Sequence, residues 1–120
     1  EEIKGFTDLL FTPILTTNLG RAILELYKKK YIGIIHVTGP EKCSKFDFER
    51  KIALLFKKDE NLIKPFNSEN FGFKTKRPKD LSLNIKQAEN ILEAKLLNIE
   101  EGIMEFKSLR ENGFVDKLKK

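Results

Sequence analysis

The run Gly33-Ile34-Ile35-His36-Val37-Thr38-Gly39-Pro40 constrains this chain more than any other stretch. Three of its four central residues are apolar, and they do not alternate with polar ones. A run of this kind, closed by Gly-Pro, reads as a parallel strand covered on both faces. Such a strand cannot stand alone, because an unpaired apolar edge exposes backbone and side chains together. The remaining sequence offers it few partners. Phe6 to Phe11 reads as a short strand closed by Thr12-Pro13. Asn61 to Asn67 gives another extended piece, which Pro65 confines to an edge or a loop.

Helices supply most of the rest. Thr17 or Asn18 caps the first, with Leu19, Ala22, Ile23, Leu26 and Tyr27 on one stripe and three lysines at its end. Ser44 caps a second, with Asp47 at the capping-box position and Phe48, Ile52, Leu55 and Phe56 as its apolar face. Asn84 with Gln87 starts a third, turning Ile85, Ala88, Ile91 and Leu92 inward. Asn98 with Glu101 starts a fourth, turning Ile99, Ile103 and Phe106 inward and stopping at Asn112-Gly113. Residues 67 to 80 hold the least regular stretch. The 120 residues amount to one domain of α/β class, with few short strands and about four helices. Ten phenylalanines and no tryptophan point to a core of aliphatics and Phe.

Catalytic groups are scarce. There is no GxGxxG or GxxxxGK[ST] loop and no Tyr-x-x-x-Lys. One His and one Cys cannot make a zinc set. His36, inside the apolar run, reads as a packed core histidine. Cys43 stands just before a helix cap, a place that lowers thiol pKa, yet nothing supplies it with a base. A single cysteine excludes an intrachain disulfide and points to a reducing, cytoplasmic setting. No apolar run nears the ~20 residues that span a bilayer, so no membrane partner is expected. The net charge of +5 invites a nucleic-acid reading. However, the lysines cluster at a helix end and at the C-terminus, where solvated surface and the helix dipole explain them. No nucleic-acid partner is expected.

Arg77-Pro78-Lys79-Asp80 asks for more than packing. A guanidinium matches phosphate oxygens with two parallel hydrogen bonds, which a lysine cannot do. Pro78 fixes its own φ and biases Arg77 towards extended backbone. An ionised Asp80 only accepts, which suits sugar hydroxyls. The plain alternative pairs Arg77 with Asp80 or another acid in a surface loop. Nearby, Phe71 and Phe73 either stack on a base or anchor the loop to the core.

Taken in order, Phe11-Thr12-Pro13, Asn18-Leu19-Gly20, Gly33 to Gly39, Ser44 to Phe48, Arg77-Pro78 to Leu83-Asn84 and Asn98 to Gly102 form a recognisable series. Over residues 6 to 109 the chain resembles the C-terminal part of extended short-chain dehydrogenase/reductases, and among these the dTDP-4-dehydrorhamnose reductase family. The family's Asp is replaced by Asn at Asn18 and Asn84. The resemblance implies the C-terminal, substrate-binding part of an NAD(P)-binding Rossmann-like fold, with the cofactor-binding half absent from this chain. It implies NADPH or NADH for the full-length enzyme and none bound by this chain alone. Its implied partners are a nucleotide-sugar substrate and an upstream Rossmann half or partner subunit, with a homodimer as a further option.

Carried across by position, the family's pyrophosphate-holding arginine is Arg77, and the acid that helps hold the nucleoside end is Asp80. Thr12 falls where the pocket wall turns, and Phe73 completes the substrate-binding set. No catalytic, cofactor or metal residue is assigned. The reading is the substrate-binding portion of a nucleotide-sugar oxidoreductase of dTDP-L-rhamnose biosynthesis, catalytically incomplete alone. The alternative is a non-catalytic regulatory module of the same fold, like the methionine adenosyltransferase β-subunit. The resemblance also requires Ile34 to Val37 not to lie at a solvent-facing margin.

Overall fold

A computed structural model describes residues 1–119. Among the described residues, the strands of two small sheets and five α-helices interleave along the chain. Strand β1 (Ile3–Phe6) pairs in parallel with β4 (Ile63–Phe66), in the register Ile3 to Ile63 and Phe6 to Phe66. Strand β2 (Leu10–Phe11) pairs antiparallel with β3 (Cys43–Ser44). Residues 79 to 81 extend this second sheet: the Leu10 amide donates to the Lys79 carbonyl, and the Leu81 amide donates to the Leu10 carbonyl. Pro65 lies in a two-stranded ladder, where an edge position is always open to it.

Helix α1 spans Thr16–Lys28, α2 Lys45–Leu55, α3 Lys86–Ile91, α4 Ile99–Glu111 and α5 Phe114–Leu118. Ser44 caps α2 by accepting from the Asp47 amide, and Asn98 and Glu101 form a reciprocal capping box on α4. Both follow the sequence pattern. After α4 the chain turns at Gly113, whose φ of +68° is the left-handed conformation glycine tolerates best. Helix α5 then forms where no helix was expected.

Asn84 and Asn18 depart from their expected capping roles. Helix α3 begins one residue after Ile85, while Asn84 accepts from the Lys86 amide in a turn just before it. The N-cap of α1 is Leu15, which makes no side-chain bond. Asn18 lies wholly buried inside the helix instead. Its Nδ2 donates to the Lys95 carbonyl at 2.9 Å, and its Oδ1 accepts from the Leu97 amide at 2.9 Å. Two turns on, the Glu25 carboxylate accepts from the Glu93 and Ala94 amides. Between them the small Ala22, fully buried, lets the 93–97 segment lie close against the helix.

The first helix also has a second apolar side. Only Ala22 and Leu26 of the expected stripe pack towards the core, whereas Ile23, Leu24 and Tyr27 are exposed. Beside them runs the segment that should have been a covered strand. Residues 34 to 39 belong to no strand, and Ile34 is 86% exposed. Ile35 and Val37 pack on the cluster of Ala22, Ile85, Ala88, Leu92 and Leu96, so only the inner face is covered. His36 is exposed and not a core residue. The physical reason is simple: among the described residues no neighbouring strand lies alongside to pair with this backbone.

The core is correspondingly thin. The buried apolar residues include the alanines Ala22, Ala53 and Ala88 and none of the ten phenylalanines. The expected Phe core is therefore a set of half-buried rings. The radius of gyration is 16.5 Å, whereas a compact domain of this length has about 14 Å.

One buried group is left unpaired. Glu49, on α2, points beneath β1, where its Oε2 finds no hydrogen-bond partner and burial pushes its carboxyl pKa up. The folded state therefore holds that proton more tightly than the unfolded chain. Its contribution to stability is complete below the ordinary glutamate pKa and is lost as pH rises through the folded value. Glu49→Gln should thus stabilise the chain at pH 7 by on the order of 1 kcal/mol, at the low end for a half-enclosed group, and leave stability at pH 3.5 nearly unchanged. Urea titrations at the two pH values check this.

Candidate functional site

Residues 67 to 80 pass from β4 to the edge of the β2–β3 sheet, and specific bonds fix them at three points. Near the start, Asp8 accepts from the Ser68 amide at 2.9 Å and from the Ser68 hydroxyl at 2.6 Å, which holds its pKa below the usual carboxylate range. In the middle, Gly72 takes a φ of +74°, letting Phe71 and Phe73 both turn back onto Phe6 of β1, at 5.2 and 5.6 Å between ring centres. At the end, Asp80 is tied down through both oxygens. Its Oδ1 accepts from the Ser82 amide and hydroxyl, and its Oδ2 accepts from Lys42 at 3.0 Å. Those bonds, the Ser82 hydroxyl first and Lys42 after, hold its pKa at about 2.

Between these anchors lies an open groove of about 500 Å³, lined by Ser68, Glu69, Gly72, Phe73 and residues 75 to 79. Lys76, Arg77 and Lys79 make it basic. The acids around it are already engaged: Lys79 pairs with Glu69 at 2.5 Å and with Asp8 at 3.5 Å, and Lys42 pairs with Asp80. Among the described residues Arg77 has no carboxylate partner. Its Cζ lies 4.6 Å from the centre of the Phe73 ring. The guanidinium is thus held by a ring and not by an acid.

The four predicted site residues fall in three places. Arg77 and Phe73 meet in this groove. Asp80 lies on its far margin with its acceptors occupied, so it pins the loop. Thr12 is elsewhere: its hydroxyl accepts weakly, at 3.4 Å, from the Leu83 amide, on the other side of Asp80. Sequence reasoning missed Lys42. Its signal was faint, because only the fold brings the residue before Cys43 next to residue 80. Cys43 is half-buried and its thiol pKa is raised by that burial, the reverse of what its place before a cap suggested.

A second cavity, of about 260 Å³, lies between Pro13–Thr16, α2 and α4. Its lining is apolar apart from Thr16 and Asn98, with no titratable side chain. It is packing space rather than a chemical site. Nor do the described residues fit a dinucleotide. The glycines with positive φ are Gly33, Gly72 and Gly113, and none sits in a strand-to-helix turn that presents amides to a pyrophosphate. Among the described residues there is no cluster of acidic, His or Cys side chains that could hold a metal, and no helix long and apolar enough to cross a membrane.

The family described as the RmlD substrate binding domain matches residues 1–110. No curated protein matches the chain. Solved structures similar to it include three reductases. One is a dTDP-4-dehydrorhamnose reductase from Bacillus anthracis str. Ames in complex with NADP, at 27% identity and a TM-score of 0.80, covering 88% of this chain and 37% of that one. Another is a dTDP-4-dehydrorhamnose reductase from Clostridium acetobutylicum ATCC 824, at 28% identity and a TM-score of 0.81, covering 92% and 39%. The third is a hypothetical dTDP-4-dehydrorhamnose reductase from Sulfolobus tokodaii, at 33% identity and a TM-score of 0.70, covering 84% and 36%. The chain thus spans less than two-fifths of the length of each. Ile34 to Val37 lie at an open margin, which on the sequence expectation would have overturned the family; the match over residues 1–110 and the similar solved structures show the family all the same. This chain belongs to the RmlD substrate-binding domain family, with the α/β fold of the corresponding part of dTDP-4-dehydrorhamnose reductases.

Proposed function

We propose that this chain holds the nucleotide-sugar substrate of an NAD(P)H-dependent reductase that reduces a 4-keto sugar on the way to dTDP-L-rhamnose. Arg77 binds the diphosphate, and Asp80 keeps the arginine's loop in register. Phe73 supports the same wall, and Thr12 steadies the chain beyond Asp80, at the Leu83 amide. The observation that carries this reading is Arg77 itself: a guanidinium with no carboxylate partner among the described residues, in a basic groove whose acids are engaged by lysines. Guanidinium edges match diphosphate oxygens, and an arginine already neutralised by a carboxylate would have to break that pair first.

The nicotinamide cofactor and the proton-donating group belong, on this reading, to residues outside this chain. Their half of the enzyme supplies the parallel sheet that pairs with Ile34 to Val37 and covers Ile23, Leu24 and Tyr27. The thin core and the open radius of gyration support that view, since a self-sufficient domain of 120 residues buries more.

Calorimetric titration of the chain with dTDP and with thymidine tests the reading. Binding of dTDP at least about tenfold tighter than thymidine is expected, because the diphosphate brings the charge-assisted hydrogen bonds. Equal binding of the two, or none, contradicts it and leaves the interaction-module alternative standing.

A further inference from the structure

The ring of Phe73 raises a question that loop anchoring alone does not answer. Phe71 already anchors this loop, with its centroid 5.2 Å from Phe6 and 6.4 Å from Phe66. Phe73 packs on both Phe71, at 4.6 Å, and Phe6, at 5.6 Å, which fixes its ring to β1 through two neighbours. Arg77 rests on that same ring. A connection therefore runs from the β1–β4 sheet through Phe6 and Phe73 to the guanidinium.

Chemistry distinguishes a ring from an acid as a support. A carboxylate would hold Arg77 by its N–H edge and cancel its charge. An aromatic face attracts the cation through the ring quadrupole and leaves the N–H edge unengaged. The neighbouring acids are each withdrawn from Arg77 by other groups: Asp8 by Ser68 and Lys79, Glu69 by Lys79, Asp80 by Ser82 and Lys42. What remains for Arg77 is Phe73.

We propose that Phe73 is a positioning residue for Arg77, holding the guanidinium by its face so that its N–H edge meets the diphosphate of the nucleotide sugar. The inference rests on the preceding reading of Arg77 and takes Phe73 out of direct contact with the base. A leucine would fill the same space without a quadrupole, and a tyrosine would keep it.

Two measurements on the full chain test this. Nuclear magnetic resonance reads the stack without any substitution: the Arg77 δ protons should resonate upfield in the native chain and in Phe73→Tyr, and return to ordinary positions in Phe73→Leu. Titration with dTDP should show Phe73→Leu weakened by about threefold and Phe73→Tyr unchanged. Ordinary δ-proton shifts in the native chain overturn the proposal, as does a Phe73→Leu variant that binds dTDP as tightly as the native chain. A native chain that binds no dTDP overturns the reading of Arg77 and this proposal with it. Equal binding by the native chain and Phe73→Leu defeats this proposal alone.

Discussion

Asn18→Ala should lower the stability of the chain by roughly 2–4 kcal/mol, the largest effect expected of any single substitution here. The asparagine is buried inside α1 and bonds two backbone groups, the Lys95 carbonyl and the Leu97 amide. Truncation leaves both without a partner in a site closed to water, at about 1–3 kcal/mol for each stranded group. It also opens space beside Ala22, which has no bulk to fill it. Other contacts also hold the 93–97 segment to α1: Glu25 binds the Glu93 and Ala94 amides, Lys29 pairs with Glu93, and Leu96 packs in one cluster with Ala22. Native domains are stable by only about 5–15 kcal/mol, and this one has a thin core, so the loss is a large share of the total. Urea denaturation of the two proteins at pH 7 measures it. A change below about 0.5 kcal/mol would mean that water or a shifted backbone satisfies both groups.

The second large effect is on binding. Arg77→Ala should weaken dTDP binding by at least about tenfold, since each hydrogen bond to a charged group contributes about 1.5–3 kcal/mol. Its melting temperature should stay within error of the native chain, because Arg77 is exposed and pairs with no acid among the described residues. Arg77→Lys should recover only part of the affinity, a point charge replacing a two-pronged donor. Both the native affinity and the loss should shrink as salt rises, as expected for an exposed cation. Calorimetric titrations at low and high salt check each point. An Arg77→Ala variant that binds normally would move the diphosphate elsewhere.

Much of this was legible in the sequence, and the misses have physical causes. Caps at Ser44 and Asn98 were readable because a capping box is local: both partners lie within one turn. The third helix's inward set was readable from its period. Asn18 was misread because the local rule for Asn favours a cap, while its true partners lie 77 and 79 residues away. The stripe of α1 was misjudged for a related reason: the helix is apolar on two sides, and periodicity alone cannot tell which side meets this chain's own core.

The apolar run at Ile34 to Val37 was read as a strand covered on both faces, whereas it forms no strand here and only its inner face is covered. Composition describes what a segment wants, and only the surrounding chain provides it. At the site, residues 73 and 77 were individually visible, yet their stacking was not. It depends on the left-handed turn at Gly72 and on Phe6, which lies 67 positions earlier in the chain. Lys42 escaped notice because a lysine in a charged chain carries no signal until the fold sets it against Asp80.

We propose that this chain is one portion of a two-part enzyme, with recognition here and a parallel sheet elsewhere lying against residues 34 to 38. Amide hydrogen exchange tests it most directly, comparing the chain alone with a fusion that joins it to the portion of the Clostridium acetobutylicum reductase that this chain does not match. In the chain alone the amides of Ile34, Ile35, His36 and Val37 should exchange fast. In the fusion they should slow by about a hundredfold or more, as in any paired interior strand. Fast exchange at those four amides in a fusion whose other strands and helices are protected would contradict the account.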